Sequence, residues 1–276
     1  MDGVACPMFD PTILAIVLAT FVLAGTVKGV IGLGLPTVSL ALLTVALDLP
    51  SAMALLLLPS FITNVWQAAV GGHGREIIKR LWPFLTLATV MVWFGGTALT
   101  RVDVSLLSAL LGALITTYAV ISLAGVRLTI SRGHERWAGP VFGTVNGILT
   151  GMTGSFVVPG VMFLQSIGLP RDTLIQAMGM LFTVSTVALA VALGGNNLLT
   201  TELGILSALG VIPALIGMVI GQHIRKLLSE EKFRRVFFIS LFVFGLYIVA
   251  GSWAWNSPPE TSINTERTPS APIHST

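Results

Sequence analysis

The sequence is poor in cysteine and in charged side chains. Its 276 residues contain one cysteine, Cys6, so no disulfide bond can form within the chain. Only 10% of the residues are charged, whereas a soluble domain carries about 25%. Hydrophobic residues make up 54% of the chain, and the mean hydropathy is +0.90. These values exclude a soluble globular domain and indicate an integral membrane protein.

Signatures of catalysis inside a membrane are also missing. The chain has no His-Glu-x-x-His pair and no Gly-x-Ser-x-Gly elbow. Four carboxylates of the apolar region fall at predicted segment ends: Asp48, Asp103, Asp172 and Glu202. We therefore expect no catalytic residue, no metal and no cofactor, and an intramembrane enzyme is the less favoured alternative. The net charge of +3 is small. Most of the cations fall in predicted loops, where they indicate membrane topology and not a nucleic-acid surface.

Apolar segments follow one another along most of the chain. They fall at 12–30, 33–47, 52–70, 81–99, 104–125, 138–152, 155–168, 173–194, 203–222 and 236–255. Because about 20 residues cross a bilayer as a helix, several segments are too short to cross alone. The pattern predicts one all-α, polytopic transmembrane domain over residues 1–255. The polar, proline-bearing stretch 256–276 predicts a disordered tail.

The two halves of the chain resemble each other. Residues 25–31, Gly-Thr-Val-Lys-Gly-Val-Ile, match residues 143–149, Gly-Thr-Val-Asn-Gly-Ile-Leu. A proline, a Leu-Pro pair and a Gly-Gly pair follow in the same order in each half, with matched points 118–123 residues apart. An internal repeat with an interrupted segment at the matching place is typical of secondary transporters. We infer two repeats, 12–125 and 138–255; chance similarity among apolar segments is the alternative.

Basic loops predict how the repeats are oriented. Cations cluster in three predicted loops, at 71–80, 126–138 and 223–235. The positive-inside rule places these loops in the cytoplasm. The matching loops of the other repeat, 194–202 and 100–105, carry no such cluster. Matched loops therefore lie on opposite sides, which predicts two inverted repeats. Each repeat would hold a broken or re-entrant first helix pair followed by three transmembrane helices, with both termini outside the cytoplasm.

One cation lies inside an apolar run. Lys28 is the single charge in residues 12–47, beside four glycines and a proline in residues 25–36. Broken backbone in hydrocarbon must be shielded by protein or line a cavity, and a lysine inside a membrane helix marks function. We interpret the combination as a site for a small anion; snorkelling of Lys28 to the lipid headgroups is the alternative. Asn146 occupies the matching position, so the two halves are chemically unequal.

The predicted site combines backbone and polar side chains near both breaks. Helix amino ends hold anions through free N–H groups, and amide side chains on neighbouring helices add donors. The predicted substrate-binding residues are Lys28, Gly32, Gly34, Asn64, Gln67, Asn146, Gly151, Thr153, Gly154, Ser155 and Gln176. The alternatives are close helix packing for the glycines spaced every four residues, and hydrogen bonds between helices for the polar side chains.

These motifs resemble the TauE/SafE sulfite exporter family of bacterial membrane transporters. The resemblance rests on residues 27–36, Val-Lys-Gly-Val-Ile-Gly-Leu-Gly-Leu-Pro, and on residues 146–159, Asn-Gly-Ile-Leu-Thr-Gly-Met-Thr-Gly-Ser-Phe-Val-Val-Pro, in a two-half layout over 12–255. It implies transport, often export, of sulfite, thiosulfate or an organosulfonate across the bacterial inner membrane. A passive anion channel is an alternative, and the glycine-rich helix faces are compatible with a homo-oligomer.

Overall fold

The structure is a computed structural model that describes residues 10–126, 128–227 and 230–255. Within these ranges it contains eleven α-helices, one 3-10 turn (Thr97–Thr100) and no strand. The helices are α1 (Pro11–Ile31), α2 (Leu35–Ala46), α3 (Leu49–Leu55), α4 (Leu57–Ala69), α5 (Gly74–Gly96), α6 (Val104–Leu123), α7 (Arg132–Thr153), α8 (Gly160–Ser166), α9 (Arg171–Gly195), α10 (Thr201–Leu227) and α11 (Glu230–Trp255). Cys6, residue 127 of the predicted basic loop 126–138 and the predicted tail 256–276 lie outside this part of the chain.

Among the described residues, six helices are long and apolar enough to cross a membrane. They are α1, α5 with its 3-10 turn, α6, α9, α10 and α11. α3 and α4, which are bent by 45° relative to each other, make a seventh candidate when taken together. The prediction of an all-α, multi-pass membrane protein is confirmed. α2 and α8 are shorter, with 12 and 7 residues.

Glycines end the first helix of each predicted repeat. α1 stops at Ile31, after which Gly32 and Gly34 adopt φ angles of 85° and 110°. α7 stops at Thr153, after which Gly154 adopts a φ angle of 71°. Residues with a Cβ atom rarely adopt this left-handed conformation, so glycine fixes both points of interruption. The prediction that both segments are broken is confirmed.

A third interruption separates α3 from α4 at Leu56. Proline has no N–H group, so Pro59 cannot donate to the Leu55 carbonyl oxygen one turn earlier. The hydroxyl of Ser207, on α10, replaces that bond. It donates to the Leu55 carbonyl oxygen at 2.8 Å and accepts from the Leu58 N–H at 3.1 Å. The bend between α3 and α4 is therefore stabilised by a side chain from the other half of the chain.

Replacing Ser207 with alanine is expected to destabilise the fold by about 1–3 kcal/mol, because the buried Leu55 carbonyl loses its donor. The measurement is the apparent Tm of the purified protein in detergent. Ser240→Ala is the matched control, since the exposed Ser240 hydroxyl donates only within its own helix, to the Val236 carbonyl oxygen. Equal Tm values for the two variants would contradict this role for Ser207.

Helix pairing is reciprocal between the two halves. α1 packs on α10 and α7 packs on α5, while α4 faces α9 and α6 faces α11. Glycines make the first two contacts close. A Cβ atom on Gly25 or Gly29 would overlap the α10 backbone, and one on Gly143 or Gly147 would overlap α5. The packing interpretation of the four-residue glycine spacing is confirmed. Reciprocal pairing is compatible with a twofold relation between the halves, whose inverted orientation stays a prediction.

The basic segments predicted as loops are largely helix ends, so the loop prediction is wrong there. α5 begins at Gly74, α7 begins at Arg132 and α10 continues to Leu227. A helix satisfies its backbone hydrogen bonds internally whatever side chains it carries, so it continues past the end of its apolar stretch. The cations within these helix bounds therefore stand on helical turns.

Candidate functional site

Lys28 stands deep inside the protein. It belongs to the last turn of α1, and 5% of its surface is exposed. At a rise of 1.5 Å per residue, Lys28 lies about 25 Å along the helix axis from Pro11. Its side chain points to α4, where it has two hydrogen-bond partners. Burial and these contacts favour a role inside the protein over the snorkelling alternative.

Two α4 side chains hold the Lys28 ammonium group. Nζ donates to the Thr63 hydroxyl oxygen at 3.2 Å and to the side-chain oxygen of Asn64. The Thr63 hydroxyl donates in turn to the Pro59 carbonyl oxygen at 2.8 Å, which leaves its lone pairs for the lysine. An ammonium group has three N–H donors. Nζ has no third partner among the residues that the structure describes, so one donor remains for a ligand.

The positive charge of Lys28 has no counter-charge within the described ranges. No aspartate or glutamate there pairs with Nζ. Two of the carboxylates that flank the apolar segments cap other helices instead, Asp48 at α3 and Asp103 at α6. A buried charge taken out of water carries an effective penalty of several kcal/mol, which two neutral oxygen acceptors only partly offset. A bound anion would neutralise this charge.

Unused donors lie next to the lysine on α4. The side-chain nitrogen of Asn64 is buried, and it has no hydrogen-bond partner among the described residues. The same holds for the hydroxyl of Ser60, one helical turn before Asn64 and on the same face of α4. Buried polar groups are normally paired, so each exception calls for a partner that protein atoms do not supply. Together with Lys28, these groups favour a ligand that accepts hydrogen bonds.

The amino end of α2 adds a further set of donors after the first break. No side chain in the described part of the chain caps this end. The hydroxyl of Thr37, in the first turn of α2, is buried and has no partner among the described residues. Aligned peptide dipoles give a helix amino end a positive potential that favours anions. The first break therefore leaves hydrogen-bond donors without a partner among the described residues.

The second break satisfies most of its donors internally. The side-chain oxygen of Asn146 accepts from the Gly160 N–H at 2.9 Å, which caps the amino end of α8. The Thr150 hydroxyl donates to the Ser155 carbonyl oxygen at 2.9 Å, and the Ser155 N–H donates to the Thr153 hydroxyl oxygen at 3.3 Å. Only the Asn146 side-chain nitrogen is left unpartnered among these groups. The two halves are chemically unequal, because Lys28 and the uncapped amino end of α2 both belong to the first half.

Two glutamines of the predicted site bond helices together. The side-chain nitrogen of Gln67 donates to the Ile175 carbonyl oxygen at 2.8 Å. The side-chain nitrogen of Gln176 donates to the Ala68 carbonyl oxygen at 2.8 Å, and its oxygen accepts from the His73 N–H at 2.9 Å. The amides of both glutamines are thus engaged by backbone at the junction of α4 and α9. The structure does not bring them to the Lys28 ammonium.

Two glycines of the predicted site lie in packing contacts. A Cβ atom on Gly151 would overlap the Val92 carbonyl oxygen of α5. A Cβ atom on Gly154 would lie 2.7 Å from Met53 Cγ and 3.3 Å from Leu40 Cδ1. Leu40 belongs to α2 and Met53 to α3, so the second break lies against the elements that follow the first break. The two broken segments are neighbours in the fold.

Three polar residues near Lys28 or the first break were not among the predicted substrate-binding residues. Ser60 lies one helical turn before Asn64 and Thr63 lies beside Asn64, which was a usable signal for both. Thr37 had a weaker signal, its place directly after Pro36 at the start of a helix. Nothing in the sequence distinguishes its hydroxyl from that of Ser39, which donates to the Leu35 carbonyl oxygen at 2.7 Å.

Comparison with known proteins gives one match. The sequence model of the family described as Sulfite exporter TauE/SafE matches residues 17–248, nearly the whole chain. No curated protein and no solved structure matches. The match includes both broken segments and the whole of α4.

Proposed function

The chain belongs to the sulfite exporter TauE/SafE family, and from this premise we propose that it exports a small sulfur-containing oxyanion across the bacterial inner membrane. Candidate substrates are sulfite, thiosulfate and an organosulfonate. The family is one of membrane transporters, and the chain is a multi-pass membrane protein. We assign the anion to the donors around Lys28, Ser60 and Asn64.

The observation that carries this assignment is a buried ammonium group without a counter-charge among the described residues. Lysine presents a compact point charge that can contact an oxyanion directly. The adjacent unpartnered groups, Asn64 Nδ2 and Ser60 Oγ, can donate to further oxygens of the same anion. A sulfite or sulfonate group presents several acceptor oxygens around one sulfur atom. Such a ligand would satisfy the charge and the donors together.

The second half of the chain supports a single anion site per chain. Its equivalent of Lys28 is Asn146, which carries no charge and already caps α8 through its side-chain oxygen. The binding stoichiometry is therefore expected to be one anion per chain. Gly32 and Gly34 act by opening α1 before α2, while Thr153, Gly154 and Ser155 shape the neighbouring break.

Membrane potential would be sufficient to drive export. The described groups around Lys28 include no carboxylate that could carry a proton or a sodium ion with the substrate. An anion leaving a negative interior gains about 2.3 kcal/mol per charge for every 100 mV, equivalent to about a 50-fold concentration ratio. We propose export without an obligatory co-ion.

Proteoliposomes loaded with labelled thiosulfate test this driving force. We expect efflux to accelerate when a potassium diffusion potential makes the interior negative, and to saturate with substrate concentration. A pH gradient imposed without a potential should leave the rate unchanged. Efflux that requires the pH gradient and ignores the potential would overturn potential-driven export. Efflux that neither saturates nor exchanges with external thiosulfate would indicate a passive channel.

A further inference from the structure

A cavity of about 910 Å³ opens between the amino-terminal parts of α5 and α7, away from Lys28. None of its lining residues comes from α1 or α4. Its lining includes five cationic side chains and two carboxylates: Arg75, Lys79, Arg80, Arg132, Arg136, Glu76 and Glu135. We call this cavity, defined by those seven side chains, the basic basin. The proposed transport site makes no use of it.

One ion pair neutralises part of the basic basin. Arg80 donates to both oxygens of Glu135, from Nε at 2.7 Å and from Nη2 at 2.8 Å. Nη2 also donates to the Ile167 carbonyl oxygen at 3.0 Å. The remaining lining charges are four cations against one carboxylate, a surplus of three positive charges. A cleft lined by one sign of charge concentrates its field, so the basin attracts anions.

Part of the lining of the basic basin is apolar. Trp82, Phe84 and Phe163 belong to its lining, and the rings of Phe84 and Phe163 lie 4.8 Å apart. Trp82 is 60% exposed, as expected of a tryptophan at a membrane–water interface. An inorganic anion would need only the cations, whereas a phospholipid needs cations for its phosphate and an apolar surface for its chains. The lining therefore favours a lipid over a free anion.

We propose that the basic basin binds the headgroup of an anionic phospholipid. Arg75 and Lys79 from α5 and Arg132 and Arg136 from α7 would contact its phosphate from two sides. Basic pockets between transmembrane helices are known to hold acidic headgroups. Since α5 and α7 belong to different halves of the chain, the bound lipid joins the halves beside the Arg80–Glu135 pair and stabilises their contact.

The test is the apparent Tm of the full-length protein in detergent, with added phosphatidylglycerol or phosphatidylcholine. Phosphatidylglycerol is expected to raise Tm by about 5 °C more than phosphatidylcholine, because a ligand bound only to the folded state stabilises it. The double variant Arg132→Gln with Arg136→Gln should lose this difference. The matched control, Lys232→Gln with Arg235→Gln, removes two exposed cations of α11 and should keep it.

Three Tm results would overturn the proposal. Equal shifts with both lipids would exclude recognition of the acidic headgroup. If the α11 control also lost the Tm difference between the two lipids, the effect would come from overall surface charge. A shift of the same size with inorganic phosphate, lost in the basin variant, would make the basin a site for free anions. Native mass spectrometry of the wild-type protein is the second readout: retained phosphatidylglycerol supports the proposal, and its absence contradicts it.

Discussion

Replacing Lys28 with methionine is expected to abolish binding of sulfite or thiosulfate while leaving the fold intact or more stable. Losing one partner of a desolvated, hydrogen-bonded charge pair costs about 2–5 kcal/mol, so affinity should fall at least about 30-fold. Methionine has a similar length and keeps the apolar packing of the lysine stem. Without ligand, the variant is relieved of an uncompensated buried charge, which costs several kcal/mol. This gain offsets the loss of about 1–3 kcal/mol from leaving the Asn64 oxygen without its donor.

The opposite signs of these two effects separate a binding role from a structural role. If Lys28 served only to join α1 to α4 through Thr63 and Asn64, the methionine variant would lose stability. Ligand-induced shifts in apparent Tm and titration calorimetry measure binding, and the Tm without ligand measures stability. Lys232→Met, which removes an exposed cation of α11, is the control and should bind as the wild type does. An unchanged affinity for Lys28→Met would contradict the assignment.

A second large effect is expected at the contact between α1 and α10. A Cβ atom on Gly217 would overlap the Val22 carbonyl oxygen, and one on Gly221 would overlap that of Thr26. Backbone atoms cannot move aside as a flexible side chain can, so the double alanine variant must push the two helices apart. Overpacking costs about 1–3 kcal/mol per site, so apparent Tm should fall by about 10 °C. Anion affinity should fall as well, because α1 carries Lys28.

The control for this variant uses glycines with open space around them. Gly204 in α10 and Gly251 in α11 have nothing within 4 Å of an added Cβ atom. Alanine at both positions should leave Tm unchanged or slightly raised, since alanine favours the helix over glycine. If both double variants lowered Tm equally, the cause would be a general loss of helix flexibility. The close contact between α1 and α10 would then not explain the effect.

The sequence predicted the interruptions and the cation because each rests on a local signal. Gly32, Gly34 and Gly154 adopt backbone angles that other residues avoid, so glycine at these positions is informative by itself. Lys28 stood out because no other charge occurs in its apolar run. The prediction that the two halves are chemically unequal followed from comparing Lys28 with Asn146.

Side-chain partners could not be predicted to the same extent. Helices that are apolar all round give little indication of which face meets which neighbour. The sequence therefore did not show that Gln67 and Gln176 would bond backbone between α4 and α9, while Asn64 turns to Lys28. The link between Ser207 and the bend at Pro59 joins residues that are far apart in the chain, and no local pattern indicates it. For the same reason, glycine spacing alone did not separate packing from binding at Gly151.

The most direct test of the account locates the bound anion. Selenite is the heavier congener of sulfite, and its selenium atom gives an anomalous diffraction signal in a crystal of the full-length protein. We expect one selenium peak per chain, within hydrogen-bond distance of Lys28 Nζ and beside Asn64 Nδ2, and no peak there in Lys28→Met. A peak confined to the basic basin, or at any position that leaves Lys28 without an anion, would contradict this expectation.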